Sequence, residues 1–309
     1  MKKLIIWIVI TFFLLLVASI SLYILSITVK LEINEYEIEE NFKDIKIITD
    51  TADINFVISE NLNTLIICEE QKNVNHSVNV NENTLLIEVD DNRKWYEYLG
   101  INFSTPKITL YLPKSEYGEL LIQSNTGDIN IPTKFKFKNI EILEDTGNIT
   151  NYALVDENIK IKTSTGNIYI ENINADRIDL STSTGKVNVK NVNCSEDVKI
   201  NVSTGNTKII DTKCKNFISK GSTGDISLEN VIATEKFSIE TNTGDVKLKA
   251  SDASNIFIKT DTGNVTGSLL TEKVIFAESD TGKIDIPKVI ADEKCEIITD
   301  TGNIKITIE

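Results

Sequence analysis

The chain has 309 residues, a formal charge of −14 and 41% hydrophobic residues. That acidity excludes binding to a phosphate backbone, which needs basic patches. Four cysteines without a Cys-x-x-Cys pair and a single histidine support neither a zinc nor a redox centre, so no cofactor is expected.

Residues 1–3 carry Lys2 and Lys3, and residues 4–29 carry no charge at all. A run of about 20 apolar residues spans a bilayer as a helix. Lys30 follows, and then the acidic stretch Glu32, Glu35, Glu37, Glu39 and Glu40 within residues 30–41. The positive-inside bias predicts a transmembrane helix over 4–29, a cytoplasmic N-terminus and an extracytoplasmic remainder, which makes this a single-pass cell-membrane protein. The alternative is a signal peptide cleaved near Ala18-Ser19, but the apolar run outlasts the roughly 7–15 residues of a signal core.

Residues 42–119 read as irregular coils. Ile45, Ile47, Thr49, Thr51, Ala52, Ile54 and Phe56 alternate as a strand, a bend at Ala52 and a second strand. Further strand-like runs follow at Leu65–Ile67, Leu85–Val89 and Ile108–Leu112. Gly127 lies 127 − 52 = 75 positions after Ala52, close to four periods of the repeat described next, which predicts further coils in between. Within this region residues 92–104 form an aromatic-rich interruption holding Trp95, Tyr96, Tyr98 and Phe103. Such a loop either caps the early coils or contacts a partner or the membrane. His76 lies in the polar stretch Asn73–Ser77 and reads as a surface residue, because no nucleophile motif accompanies it.

Residues 120–309 are governed by one repeat. Thr-Gly recurs at Gly127, Gly147, Gly166, Gly185, Gly205, Gly224, Gly244, Gly263, Gly282 and Gly302, always 19 or 20 residues apart. Seven and five positions before each glycine stand mostly Ile, Leu, Val or Phe, as in Ile178 and Leu180. Two and four positions after it stand another such pair, as in Val187 and Val189. A spacing of two is strand periodicity. Each repeat is therefore strand, glycine bend, strand and second bend, and a fixed period of this length is the signature of a solenoid. The expected fold is all-β, a parallel β-solenoid of 19–20-residue coils, with an all-β sandwich as the alternative. Ten coils at about 4.8 Å each give a rod of about 48 Å.

The segment Lys107–Ile131, followed by Thr-Gly-Asp/Asn-Ile coils, resembles the bacterial putative-adhesin β-strand-repeat family, also called toastrack domains. The resemblance runs from about residue 42 to the end. It implies an envelope setting and a non-enzymatic role, and it names no ligand.

Three further features bear on function. Two positions before each glycine the outward column ends in Asp261, Asp280 and Asp300, spaced at about 4.8 Å, where a hard cation such as Ca²⁺ would relieve like-charge repulsion. A solvated acidic stripe is the simpler reading. Cys194 and Cys214 share one column in adjacent coils within disulfide reach, but alanine fills that column elsewhere, so buried free thiols are expected. The chain stops inside a strand at Ile304–Glu309, which predicts an uncovered C-terminal coil open to end-to-end self-association.

Together these readings predict adhesin-like binding or scaffolding, or an accessory role in envelope sensing, with an envelope protein or a cell-wall or surface glycan as partner. The alternatives are a carbohydrate-active solenoid enzyme using surface carboxylates and a passive spacer. The enzyme reading is disfavoured because a period that never varies leaves no inserted loops to wall a cleft.

Overall fold

A computed structural model describes residues 13–17, 19, 31–60, 63–71, 73–92 and 105–309. Residues 13–17 and 19 are helical, and everything else regular is β. Among the described residues no helix is long and apolar enough to cross a membrane, and most of residues 4–29 lie outside them.

The repeat stacks in phase, and equivalent residues of successive coils pair in parallel. Ile140, Ile159, Ile178, Val198, Phe217, Phe237 and Ile256 form one continuous column. All seven are buried, as are most of their partners two positions on. No single coil could bury these side chains alone; stacking closes one core along the rod. The sandwich alternative is thereby excluded.

Each coil turns at its glycine because the coils approach too closely there for a side chain. At Gly205, φ is 139°, and a Cβ would stand 1.8 Å from the Gly185 carbonyl oxygen. A second turn falls six residues later, where Asn172, Asn191, Asp211, Asn230 and Ala250 all have φ between 46° and 60°. Asparagine and aspartate tolerate this left-handed conformation best among residues with a side chain. Here they also form a ladder, since Asn191 donates to Asn172 and Asn230 to Asp211.

The order of coils departs from the chain order at both ends. The strands Asp44–Ile48 and Asp53–Ile58 flanking Ala52 lie directly against the Gly127 coil, with Ile45 on Leu120 and Ile54 on Ile129. The expected four stacked coils over the 75 positions from Ala52 to Gly127 are therefore not found among the described residues between them. One outer coil, Thr84–Asp91 with Lys107–Leu112, lies on the other face of the Ala52 coil. Antiparallel strands cover it: Val74–Asn81 on Thr84–Asp91, then Thr64–Glu70 on Lys107–Leu112, then Glu32–Ile38 on Thr64–Glu70. Antiparallel pairing breaks the repeat and so stops the stack from growing at this end.

At the other end Lys294–Thr301 pairs with Asn255–Thr262 on one side and with Val274–Thr281 on the other. The Gly302 coil is thus inserted between the Gly263 and Gly282 coils. The expectation of an uncovered C-terminal coil is overturned, and the coil with a free edge is that of Gly282. The inserted Gly302 coil is covered on both faces, and its Cys295, Ile297, Ile304 and Ile306 are all buried, whereas Ile275, Ala277 and Ile286 of the Gly282 coil are partly buried and its Ile284 is half exposed.

Candidate functional site

The three positions before each bend create the most distinctive surface. Seven, five and three residues before the glycine most side chains are buried, but the threonine immediately before it is exposed, as at Thr165, Thr184 and Thr301. Strict strand alternation would carry that threonine inward; it ends at the glycine bend instead. The column three before is largely hydroxylic. Thr182, Thr260, Thr299 and Ser279 each donate to the glycine carbonyl of the neighbouring coil, at 2.9–3.2 Å.

Near the N-terminal end this column changes character. Ser124, Glu144 and Thr163 are buried, and their side-chain oxygens have no hydrogen-bond partner. They line an open groove of about 660 Å³, together with Thr49, Asp50, Asn125, Asp145, Lys162, Ser164 and Ser183. Burial pushes the Glu144 carboxyl up to about 7; Ser124 and the Thr146 amide lean toward the ionised form without closing a hydrogen bond. A buried carboxyl without partners is costly in a finished core. Here its oxygens lie just beneath the groove surface, shielded from solvent.

Behind Thr49 lies a network that the sequence did not reveal. His76, expected at the surface, is 3% exposed. Its Nε2 meets the Thr49 hydroxyl at 2.8 Å and its Nδ1 meets Glu70 Oε1 at 2.7 Å. Asn34 donates to the other Glu70 oxygen, and the Tyr36 hydroxyl donates to the His76 carbonyl. These bonds tie the antiparallel cap to the Ala52 coil. The missed signal is cross-strand: Thr64–Glu70 and Val74–Asn81 fold back over the coil, which the repeat pattern could not announce. Cys68, Glu70 and His76 place one ligand atom each within 4.8 Å of one another, a donor set suited to a soft divalent ion. In this structure Glu70 and His76 are engaged with each other, and burial together with Glu70 pushes the Cys68 thiol up to about 12.

The acidic column holds together in space, in a different order. Asp300 stands between Asp261 and Asp280, because the strands bearing them pair through the Gly302 coil. Asp280 and Asp300 are exposed, and Lys259 lies 3.6 Å from Asp261. Trp95, Tyr96, Tyr98 and Phe103 lie outside the described residues. The strands that their segment joins, Thr84–Asp91 and Lys107–Leu112, flank the Ala52 bend, and Val89 of the first lines the groove. Cys194 and Cys214 are free and buried, with thiols pushed up by burial to about 11 and about 12.

Among the described residues the groove is lined by strands and bends of the stacked coils. The groove is made by substitutions within the repeat, on a stack of identical backbone. The sequence profile of Toastrack DUF4097 matches residues 42–201 and 194–309. The chain belongs to the toastrack family. Its solenoid is similar to two solved structures: a "putative adhesin" from Parabacteroides merdae at 15% identity (90% of this chain, 96% of that one, TM-score 0.50) and another from Parabacteroides distasonis at 13% (90%, 98%, TM-score 0.51). A "putative lipid binding protein" from Parabacteroides distasonis aligns at 18% identity over 89% of this chain and 97% of that one, with a TM-score of 0.48. No curated protein matches the chain. At these identities the similarity establishes the toastrack fold and leaves the ligand to the site itself.

Proposed function

We propose that this toastrack protein is a non-enzymatic binding module of the cell envelope, held by its 4–29 segment, with the Glu144 groove as its recognition face. The observation that carries this reading is the set of buried, unpartnered oxygens of Ser124, Glu144 and Thr163 lining that groove. Exposed Asp145, Ser164 and Ser183 extend the same row of hydroxyl and carboxylate groups. Closely spaced acceptors and hydroxyls suit a polyhydroxylated chain, and aromatic faces such as those of Trp95 and Tyr96 suit its apolar sugar planes. A cell-wall or surface glycan fits this chemistry, and adhesion to it or scaffolding on it follows. The names of the two adhesin neighbours agree with such a role. An accessory role in envelope sensing would use the same face on a protein partner.

The test is co-sedimentation of the full chain, in detergent, with purified wall polymer. The Glu144→Ala and Asp145→Ala variants are expected to lose most of the binding, on the order of tenfold, if each removes one good polar contact. Undiminished binding by both would overturn the groove assignment. The carbohydrate-active alternative draws on the raised Glu144 carboxyl, a property of a general acid. New reducing ends in the same incubation, lost in Glu144→Gln, would favour it.

A further inference from the structure

Lys273 has no solvent exposure. It lies in the link between the strands Val265–Leu269 and Val274–Thr281, and its Nζ stands 2.7 Å from Asp252 Oδ1 and 2.8 Å from Thr271 Oγ1. The same nitrogen donates to Glu293 Oε2. Asp252 is itself buried, and its carboxylate is held rigidly. Oδ2 accepts the Thr271 amide at 2.7 Å and the Thr271 hydroxyl at 2.9 Å, and Oδ1 accepts the Ala253 amide at 2.8 Å.

As a set of ions this site is poor. Lys273 and Asp252 are an ion pair withdrawn from water, and buried pairs seldom recover their desolvation cost; the second carboxylate, Glu293, stays at the solvent edge. As a set of reactants it is well arranged. An amine is held 2.7 Å from one oxygen of a carboxyl group, a second carboxylate touches the same nitrogen, and two donors hold the other oxygen, which would carry developing charge.

We propose that Lys273 and Asp252 are joined by an isopeptide bond, formed within the folded chain with Glu293 as proton carrier. Glu293 takes a proton from the Lys273 ammonium, and the freed Nζ lone pair attacks Asp252 Cγ. The tetrahedral oxyanion forms at Oδ2, facing the Thr271 amide and hydroxyl. Glu293 then returns its proton to Oδ1, while the proton of the incoming nitrogen completes the leaving group. The Cγ–Oδ1 bond breaks and one water departs past Glu293, whose side chain is 41% exposed. The sum is ammonium plus carboxylate giving amide plus water, with no oxidant or co-reactant. Both buried charges disappear, and the one remaining carboxylate sits at the solvent edge.

The bond would secure the weak end of the rod. Among the described residues the Gly282 coil has a neighbour on one face alone, and the link that leads into it would be fastened to the coil two layers inside. The test is the intact mass of the purified full chain, together with its tryptic map. The expected parent is lighter than its sequence mass by one water, about 18 Da, with no cleavage after Lys273 and one branched peptide joining the segments around Asp252 and Lys273. Lys273→Met and Asp252→Ala should show their full sequence masses. Glu293→Gln should keep the parent's circular dichroism and accumulate the uncrosslinked mass. A parent of full sequence mass, cleaved after Lys273, overturns the proposal whatever the variants do. A Glu293→Gln protein crosslinked as completely as the parent overturns the role given to Glu293.

Discussion

The Asn303 side-chain oxygen accepts the backbone amide of Lys283 at 2.9 Å, although Lys283 comes 20 residues earlier in the chain. The same contact runs down the rod in one direction. Asp128 accepts from the Asn148 amide, Asn148 from Asn167, Asn167 from Lys186, Asp225 from Asp245, Asp245 from Asn264, and Asn264 from Asn303. Lysine cannot extend such a ladder, because its side chain has no acceptor, and the ladder is broken once inside the rod, after Lys186. In chain order Lys283 would break it a second time, between Asn264 and Asn303. In the inverted order Lys283 donates the last bond of the series.

The inversion predicts which engineered cysteines can meet. Thr262 pairs with Thr301, and Thr301 with Thr281, so Thr262 and Thr281 are two layers apart. One layer of about 4.8 Å lies within disulfide reach, and two layers of about 10 Å exceed it. The double variant Thr262→Cys/Thr301→Cys should bridge on mild oxidation, and Thr262→Cys/Thr281→Cys should not. Non-reducing electrophoresis after denaturation reads the outcome, and the opposite pattern would restore simple chain order.

The ladder also has a stability signature. Asn264 accepts from both the amide and the side-chain nitrogen of Asn303, at 2.9 and 3.1 Å. Asn264→Ala should therefore cost about 1–2 kcal/mol, the usual value of one or two such bonds. Lys283→Ala removes no acceptor from the ladder and should stay within about 0.5 kcal/mol of the parent, as for other exposed positions. Urea denaturation of the two variants compares them directly; equal losses would mean that the ladder does not stabilise the stack.

Gly205 should tolerate no side chain. Its φ of 139° and the 1.8 Å approach of a Cβ to the Gly185 oxygen both have to be relieved, and the obstacle is backbone. Gly205→Ala is expected to cost about 3 kcal/mol or more, from strain together with a displaced coil. Gly118→Ala is a useful contrast. There the nearest atoms belong to the side chains of Asp44 and Lys43, which can move aside, so the loss should be smaller. Melting temperatures of the two variants test the difference.

What the sequence disclosed was whatever repeats. The phase of Thr-Gly fixed the strands, the bend and the inward columns, because equivalent residues in a parallel stack must meet their equivalents. It could not disclose the order of coils, since every coil is compatible with every other. The cap was illegible for a related reason: His76 and Glu70 lie in antiparallel strands whose pairing has no period. The groove was half legible. Glu144 breaks a column of hydroxyls in the sequence itself, but its lack of partners appears only when Ser124 and Thr163 are seen beside it.

Glu144 gives that groove a pH signature. Its carboxyl moves from an ordinary value of 4.5 to about 7 in the folded protein, chiefly through burial. Between these values the folded chain keeps a proton that the unfolded chain has released. Stability then falls as pH rises through the window, and the contribution present at low pH is lost above about 7. Other carboxylates titrate in the same range, so the informative quantity is the difference between parent and Glu144→Gln. The two should melt at similar temperatures near pH 4, and the variant should be the more stable near pH 8, where the parent must bury an ionised group without a partner. Parallel melting curves across this range would show that Glu144 is solvated in the groove and titrates as it does in the unfolded chain. A polar ligand that binds the ionised carboxylate should narrow the gap at pH 8, which ties the stability measurement to the recognition face.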